Sequence, residues 1–217
     1  MSIPKIIYQT YKNAKQPAMT QFMVWWLKRL NKEYRYEFYD DERIEQFVTK
    51  EYPGQVAAAY FKLDIGAAKA DFFRYLVLYR FGGVYLDMDA YCTKPLNSII
   101  EDLDTAIITE ERNKGIYAQY ALLFAPQHPI LKDCIETICF HISERMHLHD
   151  IHKLTGPSVF TDAVNRYQKE NPNDKHTRIL GVDYNGVIKP KYWLHAGLFS
   201  KREKWQTAQR SRPAVKG

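Results

Sequence analysis

No stretch of this 217-residue chain is apolar for long enough to cross a bilayer. Its longest apolar runs, such as Tyr75 to Tyr79, fall far short of the roughly 20 residues a spanning helix needs. Internal repeats, low-complexity tracts and a Pro/Gly/Ser-rich linker are all lacking, so nothing divides the chain into separate units. Cysteine is scarce. Cys92, Cys134 and Cys139 are odd in number and lack metal-ligand spacing, which excludes a disulfide framework and leaves buried thiols. His141, His147, His149 and His152 crowd one segment, but no thiolate or carboxylate stands beside them at a ligand spacing, so they read as a solvated helix end and loop. Ile3 to Tyr8 reads as a core strand and leaves no room before it for a charged segment and an apolar stretch, so the expected location is cytoplasmic.

An acidic balance is missing too. The net charge is +6, and it is concentrated at one end: Lys189 to Gly217 holds eight basic residues against Glu203 alone, which leaves the rest of the chain near neutral. Residues 206–217 are therefore expected to form a basic, flexible tail after a single domain over residues 1–205, with peripheral contact to an anionic membrane as the functional reading. Nucleic acid is disfavoured as a partner, because the cations are confined to the end and no nucleic-acid motif accompanies them.

Hydrophobic residues make up 46% of the chain and aromatics 14%, ample for one core. Strand and helix patterns alternate. Strands are expected at Ile3 to Thr10, Tyr34 to Tyr39, Val84 to Leu86, Thr105 to Thr109, Tyr120 to Phe124, Arg178 to Leu180 and Lys191 to Leu194. Between them lie helices at Met19 to Leu30, from Asp40–Asp41 to Glu51, Ala67 to Phe81, Pro129 to Arg145 and Ser158 to Lys169. This order predicts an α/β fold with a mostly parallel central sheet flanked by helices.

The stretch Lys69 to Cys92, KADFFRYLVLYRFGGVYLDMDAYC, carries the chemistry. Asp71 and Arg74 stand three apart on one helix face, and Gly82-Gly83 ends that helix. In an extended chain beyond Val84-Tyr85-Leu86, Asp87 and Asp89 point to the same side and Met88 away. A bare Asp-x-Asp is usually a solvated turn. Here apolar residues run right up to Asp87, placing both carboxylates at the mouth of a buried strand, where open α/β sheets bind ligands. Two hard oxygen ligands suit Mn²⁺ or Mg²⁺, which keep positions open for water and phosphate.

Asp71-Phe72-Phe73-Arg74-Tyr75 followed by Gly82-Gly83-Val84-Tyr85-Leu86-Asp87-Met88-Asp89 resembles the DXD-bearing sugar-transferase region of glycosyltransferase family 32. Ile3-Pro4-Lys5-Ile6-Ile7-Tyr8-Gln9-Thr10, Thr155-Gly156-Pro157 and the stretch around His195 resemble further family elements. The resemblance implies a GT-A fold, related to Rossmann folds, and transfer of a hexose from a nucleoside-diphosphate sugar to a hydroxyl of a glycan or glycolipid, with retention of anomeric configuration. It implies that Asp87, Asp89 and His195 hold the metal, and that Asp71 and Arg74 bind the donor sugar. Tyr8, Gln9, Thr10, Gly83, Tyr85 and Lys201 complete the donor side; Glu110, Gln119, Thr155 and Gly156 stand on the acceptor side. Glu110 and Glu111 are the only carboxylates considered for a nucleophile, and same-face attack is favoured over double displacement. Two other functions compete. A metal-dependent phosphohydrolase would also gather aspartates, and a noncatalytic carbohydrate-binding module would use the 31 aromatic residues without needing Asp87 and Asp89.

Overall fold

A computed structural model of the chain describes residues 2–13, 15–112, 115–190 and 205–216. A six-stranded sheet forms from β1 (Ile6–Thr10), β2 (Arg35–Tyr39), β3 (Gly83–Leu86), β5 (Ala106–Thr109), β6 (Ala121–Phe124) and β7 (Thr177–Leu180), in the order β2-β1-β3-β6-β5-β7. β1 pairs in parallel with β2 and β3, and β5 with β7. β6 alone runs antiparallel, between β3 and β5. A second, two-stranded ribbon pairs β4 (Tyr91–Cys92) with β8 (Ile188–Lys189). The Lys191 to Leu194 strand expectation lies outside the described residues.

Both faces of the sheet are covered, and the period-2 alternation of its strands shows how. Tyr8, Tyr85, Leu122 and Phe124 enter one core with α4 (Gly66–Phe81), α5 (Pro129–Ser143) and α7 (Pro157–Glu170). Their neighbours Ile7, Val84, Leu86 and Leu123 enter the other, against Leu27 of α1 (Ala18–Leu30). The short α6 (Ile151–Leu154) precedes α7, while α2 (Asp41–Glu51) and α3 (Gln55–Lys62) flank α4. In α4 every residue from Phe72 to Leu78 is buried, including Arg74. A helix apolar all round belongs in an interior, so a buried arginine there needs polar partners of its own. The step from α4 into β3 is made by Gly82 (φ +64) and Gly83 (φ +116); a Cβ on Gly83 would lie 2.7 Å from the Ile6 carbonyl oxygen. Close approach of β3 to β1 is thus what Gly83 provides.

The C-terminus departs from the expected flexible tail. A last helix, α8 (Trp205–Ser211), leads to Ala214 and Val215, which are buried. Val215 bridges Leu63; Asp64 N–H donates to the Ala214 carbonyl at 2.8 Å, and Ala214 N–H to that of Leu148 at 2.7 Å. Arg212 pairs with Asp64 at 3.2 Å. Two apolar residues between cations make no sequence pattern, which is why composition alone suggests disorder. Deleting residues 212–217 is expected to cost at least about 2 kcal/mol from the lost burial, hence a fall of about 4–8 °C in melting temperature. An unchanged melting curve would detach this segment from the core.

His128 caps α5, its Nδ1 accepting from Ile130 N–H at 3.3 Å, while Nε2 lies 3.2 Å from Thr177 Oγ1. Burial pushes its pKa down to about 4. The unfolded chain takes a proton on this ring below about pH 6.5 and the folded one only near 4, so stability falls as pH drops through that window. The full effect is about 3 kcal/mol. His128→Asn keeps a capping side chain, and denaturant midpoints at pH 7 and 4.5 should differ less for it than for the parent.

Candidate active site

A cavity of ≈ 540 Å³ opens at the carboxyl ends of the parallel strands. Asp87 and Asp89 follow β3, Glu111 and Arg112 follow β5, Asp183 follows β7, and Asp71 and Arg74 reach in from α4. This is the position expected for ligands of open α/β sheets.

Arg74 organises the floor. Its Nη1 donates to the Gln119 carbonyl at 2.8 Å, and its Nη2 reaches Asp71 Oδ1 at 3.0 Å and Asp87 Oδ1 at 3.1 Å. The guanidinium lies 4.9 Å from the centre of the Tyr85 ring, whose hydroxyl donates to the same Asp87 oxygen at 3.1 Å. Thr155 Oγ1 donates to Asp71 Oδ2 at 3.2 Å. Burial pushes the Asp71 pKa up to about 7, partly opposed by Arg74 and reinforced by the charge of Asp87. Burial alone would favour proton loss from Arg74, but Asp87, Tyr85 and Asp71 hold it charged. The sequence spacing suggested a helical ion pair; the structure adds that the pair is buried and bridges to Asp87.

Asp87 and Asp89 line one cavity, by a different geometry from the expected alternation. β3 ends at Leu86, and Ala90 N–H donates to the Asp87 carbonyl at 2.9 Å, closing a turn. Asp87 is held from both sides, its N–H on the Tyr120 carbonyl at 2.7 Å and its carbonyl accepting from Gln9 Nε2 at 3.2 Å. Two carboxylates at one opening fit a hard divalent cation completed by water and phosphate oxygens. No third group of metal ligands joins them among the described residues, and His195 and Lys201 lie outside those residues.

The far wall carries a residue that sequence reasoning missed. Asp183, Tyr184, Asn185 and Gly186 have φ of 55, 53, 56 and 82° in succession, a left-handed turn that costs energy at the non-glycine positions. Long-range contacts hold it. Tyr184 is fully buried, its N–H donating to Thr109 Oγ1 at 3.1 Å and its hydroxyl to the Ala121 carbonyl at 2.6 Å. Asn185 Oδ1 accepts from Gly181 N–H at 3.0 Å. The turn delivers the Asp183 carboxylate to the cavity, where Tyr120 OH donates to it at 3.1 Å and Arg112 Nη2 at 2.9 Å. The only local signals are Asp, Asn and Gly in sequence, residues that tolerate this conformation.

Other expected site residues fall in different layers. Tyr8 and Tyr85 are 1% exposed, so neither ring can stack on a ligand; both are core. Gln9 is buried and positions the Asp87 backbone, and Thr10 ends β1. Glu110 is exposed and pairs through its backbone with Tyr117, whereas its neighbour Glu111 lines the cavity. Burial raises the Glu111 pKa, and His152 partly offsets this. Gln119 lines the cavity and its amide donates to the Tyr75 hydroxyl. Thr155 is buried behind Asp71; at Gly156 a Cβ would meet His152 Cα at 2.9 Å, so this residue keeps α7 close to α6.

Residues 17–105 match the family described as glycosyltransferase sugar-binding region containing DXD motif. An uncharacterized glycosyltransferase of Acanthamoeba polyphaga mimivirus is 27% identical over 79% of this chain and 68% of its own length. An initiation-specific alpha-1,6-mannosyltransferase of Schizosaccharomyces pombe is 29% identical over 76% of this chain, which spans about half, 48%, of that relative. Among solved structures, PaToxG glycosyltransferase shares the fold, with a TM-score of 0.65 at 18% identity over 79% of this chain and 71% of that one. Residues 17–105 thus carry a sugar-binding region of the DXD-containing glycosyltransferase type, and these relatives support the expected likeness to glycosyltransferase family 32.

Proposed function

We propose that this chain transfers a hexose from a nucleoside-diphosphate sugar to a hydroxyl of a glycan or glycolipid, with Mn²⁺ or Mg²⁺ and retention of configuration. The observation that carries the reading is the bridge from Asp71 through Arg74 to Asp87 at the floor of a cavity that also holds Asp89. Asp87 and Asp89 would hold the cation. When bound, it neutralises charge building on the leaving diphosphate. Arg74 and Tyr85 fix the Asp87 carboxylate, while Asp71, kept near its titration point by burial, offers oxygens for donor-sugar hydroxyls. The opposite wall, with Glu111, Arg112 and Asp183, supplies carboxylate and guanidinium groups for the acceptor. The mannosyltransferase name of the fungal relative makes GDP-mannose the first donor to try.

The test is release of nucleoside diphosphate from GDP-mannose, UDP-glucose and UDP-galactose, with Mn²⁺ or with chelator, and with or without methyl mannoside as acceptor. Metal-dependent release from one donor, accelerated by the acceptor, is expected. Release of sugar 1-phosphate independent of acceptor would instead make the protein a phosphohydrolase. Sugar binding without turnover or metal dependence would make it a binding module.

A further inference from the structure

Helix α1 turns toward solvent side chains that a surface helix ordinarily buries. At about 100° per residue, its buried Thr20 and Leu27 lie on one side, and Phe22, Trp25 and Arg29 on the other. Phe22, Trp25 and Trp26 are 53%, 56% and 42% exposed, and the rings of Phe22 and Trp25 stack at 5.7 Å. Adjacent exposed aromatics of this size mark an interaction surface. The chain around them is cationic. From Tyr11 to Lys32 it carries Lys12, Lys15, Lys28, Arg29 and Lys32, all exposed, and no Asp or Glu.

We propose that α1 is a peripheral docking helix for an anionic lipid surface. Phe22, Trp25 and Trp26 would seat at the boundary between head groups and acyl chains, and the flanking Lys and Arg side chains would pair with lipid phosphates. Aromatics suit that boundary because their rings are amphipathic or apolar, and each cation near such a surface adds attraction. The helix has 13 residues, about 20 Å, so it lies along a surface rather than through it; no helix of the described residues is long and apolar enough to cross a membrane. A second copy of the chain fits less well, since two such faces would oppose cations to cations. Single-stranded nucleic acid also fits less well, because Phe22 and Trp25 stack on each other rather than standing open for bases. The inference does not depend on the proposed reaction. It places a membrane contact on α1, apart from the C-terminal segment, where Ala214 and Val215 are packed into the core.

Flotation with phosphatidylcholine vesicles, with and without phosphatidylserine, tests it. The protein is expected to float with phosphatidylserine vesicles in a salt-sensitive way. The double variants Trp25→Ser/Trp26→Ser and Lys28→Glu/Arg29→Glu should each lower partitioning by about ten-fold or more. All four side chains are exposed, so melting temperatures should hold; if the aromatic variant does not fold, the charge variant still decides. Equal partitioning by the parent and both variants, or none by the parent, would overturn the proposal. So would a dimer in light scattering that the aromatic variant dissolves, or binding of oligothymidylate that it abolishes without any vesicle binding.

Discussion

Asp89→Asn should lower sugar transfer by about a thousand-fold or more, since it removes one of two carboxylates that would hold the charge-neutralising cation. Asp89 is half-buried at the cavity, and the substitution keeps its shape, so the melting temperature should stay close to the parent's. Titrating Mn²⁺ at fixed donor separates the possible causes. If the loss is in cation affinity, excess metal restores part of the rate. If activity in the parent survives chelator, the metal reading fails, and Asp87 and Asp89 must be reassigned as direct binders of sugar hydroxyls.

Why this pair was legible in the sequence, and its surroundings were not, follows from how each is built. The dyad, the glycine break and α4 are local: a helix without a breaker, two glycines at positive φ, and a short apolar strand all sit within Lys69 to Cys92. Alternating elements likewise predict an α/β sheet. The antiparallel direction of β6 was hidden, because a four-residue strand buried on both faces reads the same in either direction. The same-side placement of Asp87 and Asp89 was expected from strand geometry and is achieved by a turn, held by backbone bonds to Tyr120 and Ala90 that no local pattern encodes.

The far wall shows a stronger case of the same limit. Asp183 reaches the cavity only because Thr109, on a strand more than seventy residues earlier, fixes Tyr184 and the Gly181 carbonyl. A tyrosine at positive φ is unfavourable by itself, so the turn exists where the tertiary contacts over-determine it. Sequence distance also hid the link between Thr155 and Asp71, and that between Tyr120 and Asp183. What is legible is chemistry carried by neighbours in the chain, and what is not is chemistry assembled by the sheet.

Arg74 is where both kinds meet, and Arg74→Lys is the second large expected effect. One planar guanidinium serves Asp71, Asp87 and the Gln119 carbonyl with two nitrogens. A lysine ammonium keeps the charge but lacks that fork, so at least one of these buried acceptors loses its partner. Removing a partner from a buried ion pair costs about 3–5 kcal/mol; with the charge retained, about 1–3 kcal/mol is expected, or about 2–4 °C in melting temperature per kcal/mol. Because Asp87 loses its anchor, affinity for nucleoside diphosphate with Mn²⁺ should fall about ten-fold, which is about 1.4 kcal/mol. Asp71→Asn provides the contrast. It mimics the protonated carboxyl, leaves the Arg74–Asp87 contact in place, and should impair use of the intact donor while nearly sparing nucleoside diphosphate binding. Calorimetry with both ligands on both variants decides the matter. If Arg74→Lys behaves like Asp71→Asn, with unchanged diphosphate affinity and unchanged melting, then Arg74 acts on the sugar itself and the bridge to Asp87 contributes nothing to holding the cation.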